Sequence, residues 1–236
     1  MLPTLTGQLP LTEPMDQEQI ERIDTASLDI LEEVGVVFRD DIALEDWREA
    51  GADVRGDRVH LDRGLVKSLI KTIPSEITLH ARNPEKTVAL GGRQSIFIPM
   101  TGAPYLRDLE DVRRSPTLDD LATFHKLAHM LPAMHSSAHH IVEPMDHPIS
   151  HRHLRITHSS MLYSDKTFMG MTTSGQNAED VLDMCAILFG SEYLETHAVV
   201  TGNCNGNSPL VWDETMLSAM RAFNRRNQPV LCSPFV

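Results

Sequence analysis

Nine of the twelve histidines lie between His125 and His158, and imidazoles at that density first suggest metal binding and acid–base work. In the trio His147-x3-His151-x-His153 the first two share a helix face, the spacing that grips zinc. The third falls two residues on, off that face, and no carboxylate stands at HExxH spacing. The trio is therefore read as surface or helix-capping histidines, and no metal site is expected. His139 and His140 differ. On a strand, neighbours point to opposite sides, so one of the two faces the interior. With Glu143 at the strand end, that histidine is either a substrate contact or a buried, hydrogen-bonded core residue.

Two further groups offer polar chemistry. Thr172-Thr173-Ser174 follows an apolar run, where hydroxyls bind a carboxylate or cap the next helix; Ser174 is read as the cap of the helix from Gln176. Asn203, Asn205 and Asn207 supply amide donors and acceptors on one stretch, read as a loop; they are also ordinary turn formers. No GxSxG nucleophile motif occurs, and Ser208-Pro209 reads as a turn. No residue is assigned a catalytic role.

These residues need elements to hold them. Ile20, Ile23, Ser27, Ile30, Leu31 and Val34 recur at helical spacing over 16–34, with Gly35 as the stop. Helices are also expected over 42–50 and 63–72, with short antiparallel strands over 77–81, 87–90 and 95–99 separated by Asn83-Pro84 and Gly91-Gly92. After Arg113-Arg114-Ser115-Pro116 the character changes. Helices over 117–130, 148–163, 176–189 and 213–224 alternate with strands over 134–142, 167–171, 197–201 and from Pro229 onward. That alternation means parallel βα repeats. The expected fold is α/β: an N-terminal α+β region, 1–115, then 116–236 as about four βα units of a partial TIM (β/α)8 barrel. A complete four-stranded doubly wound sheet is the competitor, but no strand end carries GxGxxG or GxxxxGK. The last residues, Ser233-Pro234-Phe235-Val236, fall within an apolar strand, so the chain is expected to be a truncated barrel that self-associates through its open edge.

Composition narrows the partners. The 236 residues carry 33 acidic and 21 basic side chains, a net charge of −12. That excludes a nucleic-acid or anionic-membrane surface and suits a cationic ligand. Three cysteines without metal spacing fit a reducing compartment, and no window approaches eighteen consecutive apolar residues, so a cytoplasmic protein is expected.

The run Leu31-Glu32-Glu33-Val34-Gly35-Val36-Val37-Phe38, the phrase Ala50-Gly51-Ala52-Asp53-Val54, the block Ile98-Pro99-Met100-Thr101-Gly102-Ala103-Pro104-Tyr105, and Asn207-Ser208-Pro209-Leu210 with Gln228-Pro229-Val230 resemble the trimethylamine methyltransferase family. The resemblance runs along the whole chain and corresponds to the N-terminal half of family members. It implies a TIM-barrel enzyme that moves a methyl group from trimethylamine, glycine betaine or a similar amine to the cobalt of a corrinoid (cobalamin) carried by a partner protein, with no cofactor bound directly. The partners are then a cognate corrinoid protein and a small methylated amine, and a homo-oligomer is expected. His139, His140, Glu143, Thr172, Thr173, Asn203, Asn205 and Tyr105 become candidate substrate contacts. The aromatics Tyr105, Trp212 and Phe235 become candidates for cation–π contact with the amine. Two alternatives stand beside this reading, a non-catalytic half-barrel and a metal-dependent barrel hydrolase built on the histidine-rich segment.

Overall fold

The computed structural model describes residues 2, 5–8 and 12–234. Among them, eight α-helices alternate with short strands in several sheets, a mixed α/β architecture in which no barrel is closed. The chain divides into two compact units, and the 115/116 boundary falls inside one of them. Phe235 lies outside the described residues.

One unit comprises Gly7–Ser75, Asn205–Leu217 and Cys232–Val236. Helix α1 (Gln17–Asp29) begins with a capping box: the Asp16 carboxylate accepts from Gln19 N at 2.8 Å and the Gln19 side chain accepts from Asp16 N at 3.0 Å. It continues as a π-turn over Ile30–Val34 and stops at Gly35. Gly35 has φ 72°, and a Cβ there would lie 2.7 Å from the Val59 carbonyl oxygen, so only glycine fits. The apolar face expected on this helix is only partly covered. Leu28 is buried, but Ile20, Ile23, Ile30 and Val34 are between 44% and 55% exposed.

A four-stranded sheet follows in the order Val211–Asp213, Val36–Arg39, Arg58–His60, Asp53–Arg55. Its first two strands are parallel, with Trp212 opposite Phe38, and neither was expected from the sequence. Each is too short to show a period of two, and partners far along the chain make it a strand. Helices α2 (Asp41–Glu49) and α3 (Arg63–Ile70) are capped by Asp40 and Asp62. Val36, Phe38, Ala43, Leu44, Val59, Leu61 and Leu217 form this unit's core. Each large member contributes roughly 1.5–3 kcal/mol by burial.

The other unit comprises Met1–Thr6, Glu76–Cys204 and Ser218–Leu231. Strands Glu76–Leu79 and Val88–Gly91 pair antiparallel, as the turn chemistry predicts. Helix α4 (Leu118–Met130), within the expected span 117–130, opens with a capping box formed by Thr117 and Asp120. Helices α5 (Ile149–Tyr163), α6 (Gly175–Phe189) and α7 (Ser191–Thr196) follow; α7 is too short to show helical periodicity. Strand Phe168–Met169 pairs parallel with Val200–Gly206, whose other neighbour in the sheet is Val230–Pro234. On this sheet packs the buried ring of Phe223, from helix α8 (Glu214–Arg225). Gly170 and Gly202 admit it: a Cβ at residue 170 would lie 2.8 Å from Phe223 Cζ.

Two expectations fail here. The run 134–142 is not a regular strand; it holds only the parallel bridges Ser136↔Thr167 and Ala103↔Val142. Ala138 has φ 56°, and that left-handed residue breaks the alternation on which the strand reading rested. Conversely, Asn203, Cys204 and Asn205 lie on the Val200–Gly206 strand and not on a loop. The neighbouring strands supply partners that outweigh the turn preference of asparagine.

Candidate functional site

The site grows out of the break at Ala138. Because the backbone turns there, His139 and His140 do not point to opposite sides. Their rings lie together, 4.1 Å between centroids, with Nδ1 of one 2.9 Å from Nδ1 of the other. The backbone around them is pinned from three directions. His125 Nε2 donates to the His139 carbonyl at 2.7 Å, Gly102 N donates to the His140 carbonyl at 2.8 Å, and Glu143 N donates to the Ala103 carbonyl at 2.9 Å. Gly102, at φ 80°, brings its Cα against the His140 ring: a Cβ there would meet His140 Nε2 at 3.5 Å.

The tautomer of His125 follows from its partners. A carbonyl only accepts, so Nε2 carries the hydrogen, and Nδ1 accepts from Ser159 Oγ at 2.9 Å. Full burial holds this imidazole down to about 4, against the opposing hydrogen bond to the His139 carbonyl, so it is neutral at physiological pH. His139 is pushed down further, to about 3, first by burial and then by its neighbours His140 and His125. His140 is also lowered by burial, and here the Glu143 carboxylate, 3.6 Å from its Nε2, pulls the other way.

Glu143 is itself anchored. Arg152 on α5 donates to Glu143 Oε1 at 2.7 Å, and its Nε and Nη2 donate to the His147 carbonyl at 3.2 and 2.8 Å. A chain of groups therefore runs from Arg152 through Glu143 and His140 to His139. Its chemistry is that of a proton acceptor or donor beside a carboxylate able to face a cation.

The remaining candidates sit elsewhere. The Thr172 hydroxyl, just past the strand Phe168–Met169, donates at 2.5 Å to the Asn203 carbonyl within the adjacent strand Val200–Gly206. Thr173 accepts from the Asn177 side chain at 2.8 Å, and Ser174 caps α6. Asn205 accepts from Ser233 Oγ at 2.6 Å. Tyr105 already has a cation over its face, the Arg113 guanidinium carbon at 4.0 Å. Trp212 lines a separate, largely apolar cavity of about 520 Å³ with Leu31, Pro209, Leu210 and Cys232.

The histidine trio is dispersed. His153 is buried, not at the surface, with Nε2 2.8 Å from Asp180, whose carboxyl it holds below the usual carboxylate range. Among the described residues no group of three histidine, cysteine or acidic side chains is placed to hold a metal. No helix among them is long and apolar enough to cross a membrane.

Sequence reasoning missed His125, Gly102 and Arg152. His125 was legible, because Leu121, Ala122, His125 and Ala128 share the buried face of α4 and a histidine there demands polar partners. Arg152 stands nine residues beyond Glu143, a spacing that belongs to no helical or strand pattern.

An α/β scaffold holding a histidine–carboxylate site is common to many enzymes, and comparison with known proteins narrows the class. The chain belongs to the trimethylamine methyltransferase (MTTB) family, whose pattern matches residues 1–236. It is 40% identical to the glycine betaine methyltransferase of Desulfitobacterium hafniense (strain Y51) over 232 residues, covering 98% of this chain and 48% of that protein. It is 27% identical over 201 residues to the trimethylamine methyltransferase MttB of D. hafniense (strain DSM 10664 / DCB-2), covering 82% of this chain and 40% of that one. Against the L-carnitine:corrinoid methyltransferase of Eubacterium limosum it is 25% identical over 226 residues, with 91% and 46% covered. The chain thus spans about half the length of the curated relatives it matches.

Proposed function

We propose that this protein takes part in methyl transfer from a quaternary amine of the glycine betaine type to the cobalt of a corrinoid carried by a separate protein. The observation that carries this reading is the 40% identity to a glycine betaine methyltransferase along 98% of the chain. The parallel strands Phe168–Met169 and Val200–Gly206, each followed by a helix, support a further reading: residues 116–236 supply about four βα units of a (β/α)8 barrel, with 1–115 as an α+β region before it. On this reading Glu143, His139 and His140, with Asn203, lie toward the barrel mouth and hold the substrate.

The chemistry asks little of such a site. A quaternary nitrogen is already positive, so its methyl group can be displaced by a reduced corrinoid, the second substrate, without an acid catalyst. The protein must bind the cation, align the C–N bond and keep water out. The Glu143 carboxylate suits the cation, and the net charge of −12 favours its approach. Tyr105, Thr172, Thr173 and Asn205 are left out of the substrate shell, because Arg113, the Asn203 carbonyl, Asn177 and Ser233 already engage them.

The test is turnover. The protein with reduced corrinoid protein should convert glycine betaine to N,N-dimethylglycine and methylate the corrinoid mole for mole, with trimethylamine and carnitine the poorer donors. Corrinoid methylation from trimethylamine alone would overturn the substrate class.

A further inference from the structure

We propose that His139, His140 and Glu143 form a proton relay whose open end is His139 Nε2, with Arg152 as the residue that positions it. The proposal rests on the reading of this cluster as the amine site.

The first step is proton counting. Two Nδ1 atoms 2.9 Å apart must share one hydrogen, so one imidazole donates and the other accepts. His140 Nε2 faces a carboxylate oxygen at 3.6 Å, where a hydrogen is attracted and a bare lone pair repelled. In the neutral pair His140 therefore carries its hydrogen on Nε2 and accepts at Nδ1, and His139 donates from Nδ1. That leaves His139 Nε2 bare. His139 is only 7% exposed, and its Nε2 makes no hydrogen bond to a described residue. An acceptor left open on an otherwise buried ring in this way is placed for a ligand.

When a proton is added to the pair, the arrangement changes. A proton arriving at His139 Nε2 forms an N–H bond there, the His139 Nδ1–H breaks, and its proton moves to His140 Nδ1. The positive charge ends on His140, beside Glu143, and His139 is again neutral but now donates from Nε2. The other groups facing the pair do not compete for this charge: His125 is committed to the His139 carbonyl and Ser159, Arg152 is bound to Glu143, and Gly102 presents only backbone.

Burial makes the loaded relay a minor and strongly acidic form at neutral pH, matched to what the proposed reaction leaves behind. Removing a methyl group as a cation from a quaternary ammonium leaves a neutral tertiary amine with a lone pair. His139 Nε2–H passes its proton to that nitrogen, His140 Nδ1–H refills His139 Nδ1, and the product departs as an ammonium ion. A proton taken from hydronium or a buffer acid in the solvent then reloads the pair through His139 Nε2, so each turnover consumes one solvent proton. The ligand class is thus a tertiary amine released at the site, protonated as it goes.

The test needs neither corrinoid nor turnover. In protein carrying 15N-labelled histidine rings, long-range 1H–15N correlation at pH 8 is expected to show His139 protonated at Nδ1 and bare at Nε2, with His140 the reverse. On acidification, His139 Nε2 and His140 Nδ1 should gain hydrogen together, one proton per pair. Glu143→Gln removes the charge that fixes His140 and should shift both rings, whereas Glu143→Asp should restore the pattern; Arg152→Gln should act in the same direction as Glu143→Gln. A His139 Nε2 hydrogen at pH 8, independent titration of the two rings, or rings unmoved in folded Glu143→Gln would overturn the relay. The wild-type titration alone decides if the variants fail to fold. The tautomers as stated without betaine turnover would sink the functional reading and leave the relay standing.

Discussion

Replacing His125 by leucine should weaken the protein at neutral pH and make it less sensitive than the parent to an acid challenge. Leucine fills nearly the same volume, but it strips the His139 carbonyl of a 2.7 Å donor and Ser159 Oγ of a 2.9 Å acceptor, both in the interior. Buried groups left unpaired cost about 1–3 kcal/mol each, partly offset by the added apolar burial, so a net loss of about 2–3 kcal/mol is expected at pH 7.5. The pH dependence follows from His125 itself. Its folded-state value, about 4, lies below the ordinary 6.5, so its contribution is complete above pH 6.5 and is lost as pH falls through about 4. Linkage puts that loss at roughly 2–3 kcal/mol by pH 4.5, in the parent alone. The two proteins should therefore differ clearly in urea midpoint at pH 7.5 and nearly coincide at pH 4.5. A gap that stays constant or widens on acidification would refute the assignment of His125 as a buried neutral imidazole.

Two structural predictions accompany it. Lys166 is buried, with its ammonium donating to the carbonyls of Ala128, Leu131 and Met134 at 2.7, 2.8 and 2.6 Å. Lys166→Met should cost about 3 kcal/mol in denaturant unfolding, while Lys86→Met, which removes a partly exposed pair with Asp165, should cost about 1; equal effects would show that the carbonyl cradle contributes nothing. Gly170→Ala drives a methyl group into Phe223 and Val181 and should lower stability by about 1–3 kcal/mol, and a neutral result in thermal unfolding would mean that the sheet and helix relax apart freely.

The parts of this fold written in local chemistry were legible. Asp16 with Gln19 and Thr117 with Asp120 announce the starts of α1 and α4, and Gly35 announces a stop, because capping depends on residues three or four apart. Parts that depend on distant partners were not. Asn203 and Asn205 read as turn formers, yet neighbouring strands extend them. Val36–Arg39 and Val211–Asp213 become strands only by pairing with each other and with Arg58–His60. At the candidate site, sequence singled out His139, His140 and Glu143, and the structure brings these three together. Their arrangement turns on the positive φ of Ala138, an ordinary residue whose conformation is imposed by its surroundings. Tyr105 was picked as an aromatic face for a cation, and Arg113, eight residues away across a short hairpin, supplies one from within the chain.

The claim that the amine sits against the His139–His140 pair is tested most directly by where its methyl protons are. Nuclear Overhauser contacts between the N-methyl groups of glycine betaine and the ring protons of His139 and His140, absent for the indole of Trp212, are the result this account predicts. Contacts to Trp212 in its apolar cavity with none to the two histidines would contradict it.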